Sequence, residues 1–153
     1  MKRFLLIAAL ILLFGQLQAS AIPNPWVDCG SDMACGADKA GFSLPIKVKI
    51  YNVRAMDGLF EIKFALDKKR NVSVRKTQTY SGNDLSGVYE NYPVNKTISL
   101  IDGVLFNVRG DNKRFYVVNF AAETGYYSLY SKEGMKEKDI KYLYNLIKDA
   151  ETK

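Results

Sequence analysis

The sequence predicts an α+β domain: a curved antiparallel meander of about seven strands, with a C-terminal amphipathic helix packed on one face and a short disulfide-pinned N-terminal helix. Three observations predict it. Segments of alternating apolar and polar residues follow one another from Pro45 onward, Asp-Gly stands twice between apolar runs, and the chain ends on apolar positions that recur at helical spacing.

The first element is expected to be removed. Lys2 and Arg3 precede an unbroken apolar run from Phe4 to Phe14, and Ala19-Ser20-Ala21 supplies the small side chains a signal peptidase accepts. Residues 1–21 therefore read as a secretory signal peptide, and residues 22–153 as a single α+β domain. The apolar run is shorter than the roughly 20 residues that span a bilayer, so no transmembrane segment is expected after cleavage. Cys29 follows Trp26-Val27-Asp28, which is no lipoprotein cleavage site. The expected location is exported, periplasmic or extracellular.

Export takes Cys29 and Cys35 into an oxidising compartment, where a disulfide closing a tight local loop is expected. The residues around them read as a short helix with Ser31 as its cap, Met33 to Lys39 as its body and Gly41 at its end. Two thiolates without histidine make an incomplete zinc site, and a redox pair is more often spaced C-x-x-C. No metal and no cofactor are expected.

Strands follow. Ile46 to Ala55 and Leu59 to Leu66 flank Asp57-Gly58, Val72 to Lys76 comes after a charged turn, and Lys96 to Ile101 and Val104 to Arg109 flank Asp102-Gly103. Arg114 to Ala121 and Tyr126 to Ser131 complete the series. Phe60, Ile62 and Phe64 alternate with Glu61 and Lys63, so one face of this part is solvated. Val48 and Ile50 share a phase that Val53 and Ala55 abandon, which predicts a bulge near Asn52. The strand Arg114 to Ala121 is apolar on both sides and is expected to be central and covered on both faces. From Lys136 to Ala150, Ile140, Leu143, Tyr144 and Ile147 form one stripe and Lys141, Lys148 and Asp149 face away, which makes the last element a lid of roughly four turns.

Leu59-Phe60-Glu61-Ile62-Lys63-Phe64, a charged turn, Val72-Ser73-Val74-Arg75-Lys76 and the later Gly125-Tyr126-Tyr127-Ser128-Leu129 before a C-terminal helix resemble a bacterial family of small exported or membrane-anchored domains whose function is not established. The likeness covers roughly Arg54 to Ala150. It implies a curved antiparallel sheet with a packed helix; it implies no substrate, and it carries over no functional residue.

An enzyme is not expected. Histidine is absent, which removes Ser-His-Asp and Cys-His mechanisms and the commonest metal ligand. Asp57, Asp67, Asp102 and Asp111 all fall in turns, where aspartate bonds its own backbone. A pair of carboxylates of the glycosidase kind is the one route the residue types leave open. Nucleic acid is not an expected partner either, since loss of Lys2 and Arg3 lowers the formal charge from +6 to +4 on an exported chain.

Three features point to binding. The polar segment Thr77 to Asn95 holds Tyr80, Tyr89 and Tyr92 among Ser, Gly and Asn, a mixture suited to stacking on sugars or gripping a protein, or else an irregular edge with ordinary tyrosines. Lys47, Lys49, Lys63 and Arg75 are expected to stand side by side on the solvated face, facing an anionic envelope polymer or serving only to protect the edge. Phe60, Phe64, Phe106 and Phe120 either line a cavity for an apolar small molecule or simply fill the core. The expected function is a non-enzymatic binding or interaction domain at the cell envelope or outside the cell, with a protein or an anionic envelope polymer as partner. A carrier or sensor of a lipid-like ligand is the alternative, and an envelope carbohydrate hydrolase is third.

Overall fold

The computed structural model describes residues 24–80 and 84–152; the expected signal peptide lies outside them. In chain order the elements are β1 (Val27–Asp28), α1 (Met33–Ala40), β2 (Ile50–Met56), β3 (Leu59–Ala65), β4 (Asn71–Thr77), β5 (Val94–Ile101), β6 (Val104–Gly110), β7 (Phe115–Ala122), β8 (Gly125–Met135) and α2 (Glu137–Glu151). The strands form one open antiparallel sheet of 8, in the order β1-β2-β3-β4-β8-β7-β6-β5.

Two expectations are corrected. The strand beyond the expected seven is β1, whose two residues pair Val27 with Ala55 and Asp28 with Arg54 and are too few to display any alternation. The sheet is also not one meander. Two meanders, β1–β4 and β5–β8, are joined where β4 pairs with β8, so the connection after β4 leads from the middle of the sheet to its far edge at β5.

The hairpins fall where Asp-Gly placed them. Met56 pairs with Leu59 across Asp57-Gly58, and Ile101 with Val104 across Asp102-Gly103. The register of β2 shifts between Ile50 and Asn52, where a bulge was expected. Pairing begins only at Ile50, because Leu44 and Ile46 are buried in a tight turn in which Ile46 N–H donates to Leu44 O at 2.8 Å.

Helix α1 is capped by Asp32 rather than Ser31: its Oδ1 accepts from Ala34 N–H at 2.9 Å and Cys35 N–H at 3.1 Å. The Cys29–Cys35 disulfide ties this helix to the end of β1. Gly36 faces the sheet so closely that a Cβ there would lie 2.8 Å from the Phe60 ring.

Both helices share one core with the sheet. Val53, Phe60, Ile62, Val74, Phe106 and Leu129 meet Ile140, Leu143 and Ile147 of α2 there. Tyr144 packs edge to face on Phe106 and Phe120, with ring centroids 5.7 and 5.5 Å away, and the two phenylalanine rings meet tilted at 5.4 Å. The start of α2 is held by Asp139, whose carboxylate accepts from Lys136 N–H at 2.8 Å and from Arg70 Nη1 at 2.6 Å. Burial alone would raise the Asp139 pKa, but these hydrogen bonds outweigh it and hold the carboxyl below its ordinary value.

Strand β7 is covered on both sides as expected, with Val117 and Val118 fully buried. Simple alternation would put Phe115 on the side of Val117, but the register shifts between them: Phe115 packs against the core with Val118 and Phe120, and Tyr116 stacks on Tyr92.

Candidate functional site

The face opposite the helices is built on one cross-strand row. Successive register pairs place Arg54, Glu61, Arg75, Ser128, Asn119, Asn107 and Thr97 side by side, one from each strand from β2 to β5 across the sheet. Every member is polar.

Glu61 anchors one end. It is 2% exposed, and its carboxylate accepts from Arg54 Nη2 at 2.6 Å and from Arg75 Nε at 2.5 Å. Burial pushes its pKa up, but the two guanidinium groups outweigh that and hold it below the usual carboxylate value. Both arginines also lie over the Trp26 ring, at 4.9 and 5.2 Å from its centroid. The N-terminal segment pinned by the disulfide thus contributes the single tryptophan to this face.

Across the row lies the second described part of the β4–β5 connection, residues 84–93. Two arginines hold it down. Arg75 Nη1 donates to Leu85 O at 3.1 Å; Arg109 donates to Asp84 Oδ2 at 2.5 Å, to Ser86 Oγ at 2.7 Å and to Val88 O at 3.1 Å. Asp84 and Ser86 bond each other and the next backbone amides, which closes the segment into consecutive turns. Gly87 has φ of 64° and crosses directly over the Arg75 guanidinium, where a side chain has no room. At the far end Tyr92 stacks on Tyr116 with centroids 5.2 Å apart and donates to Glu90 at 2.9 Å; burial and that carboxylate push its pKa up to about 12. These residues form a strap over the sheet.

The strap divides the face into two cavities that share Arg75, Gly87 and Tyr89. One, of about 380 Å³, is enclosed by Lys63, Ser73, Ser128 and Tyr130 together with the Glu61 cluster and Glu90. The other, of about 920 Å³, has Asn107 and Asn119 on its floor and Trp26, Tyr80, Tyr89 and Tyr126 on its walls. Tyr80 packs against Tyr126 with centroids 5.0 Å apart yet is 62% exposed, and Tyr89 is 90% exposed. Two buried polar atoms lack a partner among the described residues, Asn119 Oδ1 and Ser128 Oγ. They are cross-strand neighbours, and each residue lines one of the two cavities.

The segment expected to carry the binding tyrosines lies over the polar face as the strap, but its three tyrosines are not placed alike. Tyr80 and Tyr89 are displayed, whereas Tyr92 is packed away as the strap's fastening. Ser81, Gly82 and Asn83 lie outside the described residues. The expected basic stripe is not assembled: Lys47 and Lys49 are exposed but precede β2, and Lys63 and Arg75 both gather around Glu61. Phe60, Phe64, Phe106 and Phe120 are buried in the core, and Phe120 also borders the larger cavity. Asp67 and Asp111 close turns, each accepting two backbone amides within three residues. Among the described residues no cluster of candidate metal ligands occurs, and no helix is long and apolar enough to cross a membrane.

Sequence reasoning missed Arg54, Glu61, Arg109, Ser128 and Asn119. A signal for the first two was present, because a two-residue Asp-Gly turn sets Arg54 opposite Glu61 by counting back from the hairpin. No known protein family, curated protein or solved structure matches the chain.

Proposed function

We propose that this protein is an exported, non-enzymatic binding domain whose strapped face holds a glycan of the cell envelope or its surroundings. The observation that carries the reading is the display of Tyr80 and Tyr89 at 62% and 90% exposure beside a strap fastened by Arg75 and Arg109. Tyr89 rides on the fastened strap and so surrenders little backbone entropy when it stacks on a ligand, and Tyr80 is backed by the Tyr126 ring. The floor supports the same reading: the amides of Asn107 and Asn119 offer both donors and acceptors, which is what sugar hydroxyls require. A concave cleft of about 920 Å³ suits a chain of sugar rings better than it suits a flat protein surface.

Binding is favoured over hydrolysis by the engagement of Glu61. Glu61 and Glu90 both line the smaller cavity, but Glu61 is 2% exposed and both of its carboxylate oxygens already accept from arginines, Oε1 from Arg54 and Oε2 from Arg75, so neither is offered to a sugar. The Cys29–Cys35 disulfide fits an oxidising compartment.

The test is retention of envelope polysaccharide by the immobilised protein. A Tyr80→Ser, Tyr89→Ser double variant loses retention at least 10-fold and keeps its melting temperature. Retention of a protein and no polysaccharide, abolished by the same variant, would replace the glycan with a protein partner. Retention unaffected by the variant would overturn the site.

A further inference from the structure

The smaller cavity has a chemistry of its own. Its charged lining is Arg54, Lys63, Arg75, Glu61 and Glu90, three cations against two carboxylates, which leaves one positive charge uncompensated. Arg54 and Arg75 are occupied, since both hydrogen-bond Glu61 and both lie over Trp26. Lys63 is held more loosely: its Nζ pairs with Glu61 at 3.7 Å without hydrogen-bonding it, and its side chain is 37% exposed, so its N–H donors remain available to a ligand. Around it the hydroxyls of Ser73, Ser128 and Tyr130 line the same cavity. Ser128 is 1% exposed, and its Oγ has no partner among the described residues. Leaving a buried hydroxyl without a partner is unfavourable, and a bound polar group removes that cost.

We infer that this cavity is a subsite for a single carboxylated sugar residue, with its carboxylate on Lys63 and its ring hydroxyls on Ser128, Ser73 and Tyr130. One uncompensated charge matches a monoanion rather than the dianion of a phosphate monoester. Hydroxyls that both donate and accept match sugar hydroxyls. A volume of about 380 Å³ has room for a sugar ring, and Tyr89, shared with the larger cavity, joins this subsite to the cleft. The inference rests on the glycan reading above and narrows it to acidic glycans.

The test is an NMR titration of the oxidised protein with sodium D-glucuronate, D-glucose and D-glucose 6-phosphate. Glucuronate is expected to shift the amides of Lys63, Ser128 and Tyr130 and to bind at least 10-fold more tightly than either of the others. Lys63→Met should bring glucuronate to the level of glucose. If that variant melts lower than the parent, Ser128→Ala serves in its place and should weaken glucuronate at least 3-fold. Equal binding of glucuronate and glucose, no shifts with glucuronate, or tighter binding of the phosphate would each overturn the inference. The polysaccharide retention above reads the larger cleft separately: neutral polymer retained without glucuronate binding sinks the subsite alone, and glucuronate bound without polymer retention sinks the cleft alone.

Discussion

Glu61 and Arg75 face each other across β3 and β4, and the 2.5 Å hydrogen bond between Arg75 Nε and Glu61 Oε2 joins the buried floor of the polar face to the strap above it. Arg75 uses its remaining reach for Leu85 O, so the carboxylate that fixes Arg75 also fixes the strap indirectly. Removing that carboxylate leaves two part-buried guanidinium groups without their counter-charge. Glu61→Ala should cost about 3 kcal/mol or more of stability, and Glu61→Gln, which keeps the shape, should cost less. Urea unfolding of the three proteins checks the order.

The same groups set the acid limit. Glu61 and Asp139 have pKa values below their ordinary ones in the fold, so the unfolded chain takes up their protons first as pH falls. Their contribution is fully present above the ordinary carboxylate range, at about pH 4, and is lost as pH drops through the lowered folded values. Melting temperature should stay level from pH 7 to about 5 and fall below about 4. In Glu61→Gln the acid limb should be shallower.

Arg109 reaches the strap at Asp84, Ser86 and Val88 and touches no core residue through these bonds. Arg109→Ala should therefore lower the melting temperature little and free residues 84–90, seen as faster amide hydrogen exchange there and unchanged exchange in α2. Polysaccharide retention should fall with it, because Tyr89, the wall residue carried on the strap, loses its mounting.

Gly36 allows α1 to lie against Val53 and Phe60. Gly36→Val should push the helix off the sheet at a cost of about 1–3 kcal/mol, read from chemical denaturation.

Much of this fold is legible in the sequence because its determinants are local. Two Asp-Gly turns fix two hairpin registers, alternation around Ile62 and Val74 assigns their faces, and the Ile140 to Ile147 stripe assigns the lid. The pairing of β4 with β8 is not legible, since Val74 and Leu129 meet across a sequence separation that no local pattern encodes. The site divides in the same way. Tyr80 and Tyr89 stand out by composition, whereas Arg109 reads as an ordinary strand residue until the strap is laid over it. Alternation and meander pairing together group Lys47 and Lys49 with Lys63, and the grouping fails because pairing begins only at Ile50, beyond both lysines.

The central claim is that ligand enters on the strapped face and not on the helical one. Amide shifts mapped during titration with envelope polysaccharide test it most directly. Shifts are expected in residues 84–90 and at Asn107, Asn119 and Ser128, with the indole signal of Trp26 moving alongside them. Shifts concentrated in α2 and the core beneath it, with the strap unmoved, would contradict it.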